Sequence, residues 1–182
     1  MPFLVIAAVA FASLGGSDPS SSTSSSDPGA PLSFSAPSDV AAQTGPCTKV
    51  LAKLPVTLDK LAPRVVHTNP ETPFVVAWGN PAVVLRCGVA RPKSLVANSA
   101  AQFFSGTGET GPFYDVTDDG TGSAAAKVYT SVDRAAYISI TIPRTYAAAP
   151  LPALSNAIAQ ALPAVCSTDP ASPRASLCTR RP

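Results

Sequence analysis

Apolar positions along the chain follow two periods, and each change of period marks a change of predicted element. Cys47, Val50, Leu51 and Leu54 recur at spacings of three and four, which sets them on one face of a short helix. Thr44 followed by Pro46 supplies its opening, a hydroxyl able to cap free amides and a proline tolerated in the first turn, and Pro55 ends it. Residues 74–78 and 82–87 are β-branched and aromatic runs separated by Gly79, Asn80 and Pro81, so they read as a tight pair of strands. In the second run Val83, Leu85 and Cys87 alternate with Val84 and Arg86, which turns Cys87 inward and Arg86 to the opposite face.

Residues 88–112 read as a long loop with an aromatic patch at Phe103 and Phe104. Strand signals return at 113–116, 125–130 and 136–142, and in the last of these Ile138, Ile140 and Ile142 alternate with polar or amphipathic residues. Pro152 opens a final helix with Leu154, Ile158, Ala161, Leu162 and Val165 along one face, and Pro163 stops it near Leu162. Helices at both ends with strands between them predict a single α+β domain. Its antiparallel sheet has four or five strands, with the isoleucine strand central and two helices on one face.

The domain occupies residues 45–168. Ahead of it, residues 3–14 are apolar apart from Ser13, and Ala10 and Ala12 flank Phe11 in the small-x-small pattern of a secretory signal, so 1–14 are read as a signal-like segment. A run of that length falls short of the roughly 20 residues that span a bilayer, and no stable transmembrane span is expected. Gly15, Gly16 and Ser17 stand where a lipoprotein would carry its acylated cysteine. Residues 15–44 form a Ser/Pro/Ala tract too poor in apolar groups to offset its ordering entropy, and they read as a linker or stalk. Residues 169–182 form a C-terminal tail.

Charge alters this picture little. Three of the eleven acids precede residue 45, leaving eight acids against all thirteen bases, and these are scattered except for Arg180 and Arg181. A nucleic-acid partner, which wants clustered bases with aromatics, is not expected. The four cysteines Cys47, Cys87, Cys166 and Cys178 lack zinc spacing and read as two disulfides, which places the domain outside the cytosol.

The segments Leu54-Pro55, Asp59-Lys60-Leu61, AWGNP at 77–81, LRCGV at 85–89, Arg91-Pro92 and ITIP at 140–143, together with Cys47, resemble an uncharacterised actinobacterial family of secreted proteins and lipoproteins. The resemblance spans residues 46–165, implies export to a mycobacterial-type cell envelope, and brings no catalytic residues, because the family is a domain of unknown function. With Cys47 and Cys87 in the matching parts and Cys166 and Cys178 sharing the C-terminal region, the pairing Cys47 to Cys87 and Cys166 to Cys178 is expected. Cys47 to Cys166 with Cys87 to Cys178 is the alternative.

Candidate chemistry is sparse. Trp78 offers a stacking surface for a ligand or a buried ring with its N–H at an edge, and Arg86 a binding guanidinium or a structural ion pair. His67, with Glu71 four residues on, is an acid–base pair without a nucleophile motif beside it. Asp115, Asp118, Asp119 and Gly120 lack the spacing and closing glutamate of a calcium loop, and GTGETG at 106–111 lacks phosphate-loop spacing. No metal, cofactor or catalytic set is assigned; Trp78, Arg86 and His67 are the candidate ligand-binding residues. The reading is an exported envelope protein of unknown molecular function, a non-catalytic accessory or binding module for an envelope protein or component. An envelope enzyme with a dispersed site and a structural spacer are the alternatives.

Overall fold

The computed structural model describes residues 29–95, 101–103, 112–118 and 126–165. The signal-like segment, residues 15–28 of the expected linker, Phe104, the GTGETG stretch, Asp119, Gly120, Cys166, Cys178 and the tail lie outside the described residues. In chain order the elements are β1 (Leu32–Ser35), α1 (Val40–Leu51), β2 (Pro63–Arg64), β3 (Val66–Asn69), β4 (Val75–Trp78), β5 (Val83–Cys87), β6 (Gln102–Phe103), β7 (Phe113–Asp118), β8 (Ala126–Ser131), β9 (Ile138–Pro143) and α2 (Leu151–Ala161).

The architecture is α+β, with seven strands in the main sheet among the described residues rather than four or five. Their order is β2-β4-β5-β9-β8-β7-β6, each pairing is antiparallel, and the isoleucine strand β9 stands in the middle. The strands added to the expected set are the two-residue β2 and β6, too short to show a period-two pattern. They form both edges of the sheet, and edges this short offer little to a foreign strand. A second, two-stranded sheet pairs β1 with β3 in parallel.

Alternation distributes the sheet between two apolar layers. Val83, Leu85 and Cys87 join Ile138, Ile140, Ile142, Tyr114 and Tyr129 in the main core, where Cys47 and Val50 of α1 and Leu151, Leu154 and Ile158 of α2 complete the packing. Both helices therefore cover one face. On the other face Val75, Ala77 and Val84 pack under Leu32, Phe34 and Val66 of the small sheet. Helix α2 ends as its sequence predicts, with Leu162 already extended ahead of Pro163. Val165, expected on the buried face, is instead 39% exposed.

The N-terminal part of the fold departs from expectation. β1 lies within the tract read as linker, and α1 begins at Val40, so Thr44 and Pro46 sit inside the helix rather than opening it. The Thr44 hydroxyl donates to the Val40 carbonyl at 2.9 Å, a bond within the helix. The extra turn is anchored from outside: the Asp39 N–H donates to the Gly88 carbonyl at 2.8 Å. Gly88 has φ +86°, and a Cβ there would come within 3.1 Å of the Val40 Cα. Residues 41, 42, 44 and 45 are exposed, so no apolar stripe announces this turn.

Cys47 and Cys87 form a disulfide, both fully buried, that joins α1 to β5. The second expected bridge lies outside the described residues. Tyr114 is also buried and shares a 2.7 Å hydrogen bond with Ser155 on α2. Burial pushes its phenol well above the usual tyrosine range; the bond to Ser155 opposes this only in part, Asp133 adds to the rise and Arg134 works against it.

Two outcomes follow from these buried groups. Opening the 40-residue loop with the Cys47→Ala, Cys87→Ala double variant should cost about 4 kcal/mol in urea unfolding, on the model in which a crosslink restricts the unfolded chain. Because the unfolded chain loses its tyrosine proton from about pH 10 while folded Tyr114 keeps it, this residue's contribution to stability should fall as pH rises above that point. A Tyr114→Phe variant should show a shallower alkaline loss in denaturant titrations at pH 9 to 11.

Candidate functional site

After Arg64 the chain leaves its pairing with β4, and that departure makes a groove. Along β2 and β4 the register sets Pro63 opposite Trp78 and Arg64 opposite Ala77, and the Gly79 N–H donates to the Ala62 carbonyl. Continuing it would set Val66 opposite Val75. The chain instead turns away at Val65, whose carbonyl accepts from the Leu32 N–H at 2.9 Å, and the next four residues pair with β1. Between the parted strands lies an open groove of about 700 Å³. Val66, His67 and Thr68 form one wall, Val75 lies on the other side, and Glu71, Thr72 and Pro73 of the connecting turn complete the lining.

The main-chain groups along the parted strands follow from alternation. The Val65 carbonyl accepts from Leu32 and the Asn69 carbonyl from Ala36, just past β1, so residues 65, 67 and 69 address β1 while Val66 and Thr68 present their N–H and C=O groups to the opposite side. Just ahead of β4 the Phe74 carbonyl accepts from the Cys87 N–H, which turns the main chain of Val75 away from β5. Among the described residues no backbone partner meets Val66, Thr68 or Val75 on these sides. The Thr68 hydroxyl accepts from the Thr72 N–H at 2.7 Å and bonds the Thr72 carbonyl at 3.2 Å, bracing the turn against the strand.

Two arginines hold the small sheet in place. Arg64 donates through Nη1 to the Gly79 carbonyl at 3.0 Å and through Nη2 to the Ala30 carbonyl at 2.6 Å. Arg86 donates through Nη2 to the Ser35 carbonyl at 2.8 Å, while its buried Nε has no partner among the described residues. β1 is thus tied at both ends to the main sheet.

Of the three residues singled out by sequence, only His67 lines the groove, where it joins Glu71. Arg86 lies on the predicted face and is engaged with β1. Trp78 is 1% exposed and its indole N–H donates to the Val56 carbonyl at 3.1 Å, so no ring face is open to a ligand. The groove's main-chain edge, Thr68 and Thr72 have no signature in the sequence, because a sheet that parts at one residue leaves no periodic trace.

A second cleft, of about 330 Å³, is lined by Lys127, Tyr129, Ile142, Arg144, Ala147 and Ala148. Burial raises the Tyr129 phenol above the ordinary tyrosine range and the Arg144 charge opposes that rise. No group of three or more potential metal ligands occurs among the described residues.

If Arg86 is the clamp on β1, an Arg86→Met variant, which keeps the apolar stem, should lose about 1 to 2 kcal/mol of stability. Amide exchange should accelerate at Phe34 and Asn69 in the small sheet while Leu85 and Ile140 stay protected. Uniform acceleration across both sheets would remove Arg86 from that role.

No curated protein and no solved structure matches the chain. A family model does, over residues 1–166: the chain belongs to the family described as Protein of unknown function (DUF3515).

Proposed function

We propose that the protein is exported and serves as a non-catalytic accessory or binding module of an actinobacterial-type cell envelope, with the groove beside β3 as the site that receives an envelope protein or component. The observation that carries the binding reading is the open groove itself, rimmed by main-chain groups without backbone partners among the described residues and braced by the Thr68 and Thr72 bonds. Export is supported by the fully buried disulfide, a bond that belongs to oxidising compartments, and by the apolar small-x-small segment at residues 3–14. No helix of the described residues is long and apolar enough to cross a membrane. The presence of His67 and Glu71 in the lining of one groove favours the enzyme reading as the second choice.

The test is a photoreactive amino acid in place of His67, carried by the full chain in an actinobacterial host. The expected outcome is a discrete crosslinked product in the envelope or culture fraction, suppressed by excess unlabelled protein and not formed from the same label at Lys93. A reduced, cytoplasmic protein would sink the export reading. Turnover of a substrate that disappears with His67→Ala or Glu71→Gln would transfer the site to the enzyme class.

A further inference from the structure

We infer that the groove receives an extended polypeptide strand of a partner protein, one carrying a basic side chain, which pairs main chain to main chain with the open edge of β3 at Val66 and Thr68. This rests on the binding reading above and specifies its partner. The two residues supply two N–H donors and two carbonyl acceptors in the alternation of a strand edge. The chemical group that answers such a row at a two-residue repeat is another extended main chain.

Three features favour this occupant. The edge is already held open: β1 secures β3 from behind, and the Thr68 hydroxyl fixes the turn in front, so little ordering is needed on binding. Glu71 supplies a negative charge at the turn, which suits a lysine or arginine on the incoming strand and gives selectivity more than affinity. Apart from the His67 imidazole the lining contains no aromatic ring among the described residues, which gives a sugar face no stacking platform from them. The edges of the main sheet are two-residue strands, whereas the β3 edge faces a groove with room beside it.

The experiment pans a library of displayed random heptapeptides against the full chain and then studies the best binder as a synthetic peptide. Selected peptides should be rich in Val, Ile and Thr and carry Lys or Arg. Saturation should slow amide exchange at Val66 and Thr68 at least tenfold, and N-methylation at alternate main-chain nitrogens of the peptide should weaken binding at least tenfold at one parity and little at the other. Val66→Pro removes an N–H that makes no bond to β1 and should abolish binding. Val66→Thr should retain it, and melting curves establish that both variants are folded. Glu71→Gln should weaken basic peptides several-fold, and equal binding would overturn the charge preference. No binder, or binders that leave Val66 and Thr68 exchange unchanged, would overturn strand addition. In that event a crosslink from position 67 in cells would leave the binding module standing without its strand partner; its absence as well would remove both.

Discussion

The junction between α1 and β5 is the contact on which the rest of this fold depends. Cys87 ends the second strand of the hairpin, Cys47 lies on the inward face of α1, and the bond between them fixes the helix across the sheet. One residue further on, Gly88 accepts from the Asp39 N–H and donates to the Tyr137 carbonyl, so three separate stretches of chain meet at one point. A side chain at Gly88 would push into the Val40 backbone, which is why the covalent bond and the close approach occur side by side in the LRCG segment. A helix interrupted by Pro46 and exposed along its first turns has little intrinsic reason to form here; its neighbours hold it.

From that junction the second layer follows. Once α1 is seated, the chain before it runs past β5, where Arg86 takes the Ser35 carbonyl, and on towards β2, where Arg64 takes the carbonyl of Ala30. The strand held between these guanidiniums pairs with β3 and draws it out of the register that β2 had begun with β4. Leu32, Phe34 and Val66 then shelter Val75, Ala77 and Val84, giving the opposite sheet face its own apolar layer. The groove is the geometric consequence: the bonds that hold β1 over the sheet face hold its partner β3 there too, out of the ladder with β4.

The sequence disclosed those parts of the fold whose stabilisation is periodic. The hairpin around Gly79, the isoleucine strand and α2 each satisfy a local pattern and an apolar layer at once, and all three occur where the pattern sets them. What escaped has a common physical origin. β1 and the first turns of α1 are held by single bonds to distant main-chain carbonyls, namely Arg64 to Ala30, Arg86 to Ser35 and Asp39 to Gly88, which have no period, and the two-residue edge strands are too short to show one. The same holds for the site: His67 and Glu71 are visible as residue types, but the open edge of Val66 and Thr68 exists only because the sheet divides.

This origin bears on how the site can behave. A groove between two strands that merely lacked a third would close by re-pairing Val66 with Val75, since each main-chain bond so gained is worth about 1 kcal/mol. Closure is opposed because it would draw β3, and β1 with it, off the sheet face and strip the cover from Val75, Ala77 and Val84, while breaking the Arg64 and Arg86 bonds that hold that layer. The arginine clamps therefore do more than tether an N-terminal strand: they keep the alternative pairing from competing, and the vacancy persists as part of the folded state. A ligand entering it has no pre-existing pairing to displace, which favours recognition by a groove formed in advance over one opened by its partner.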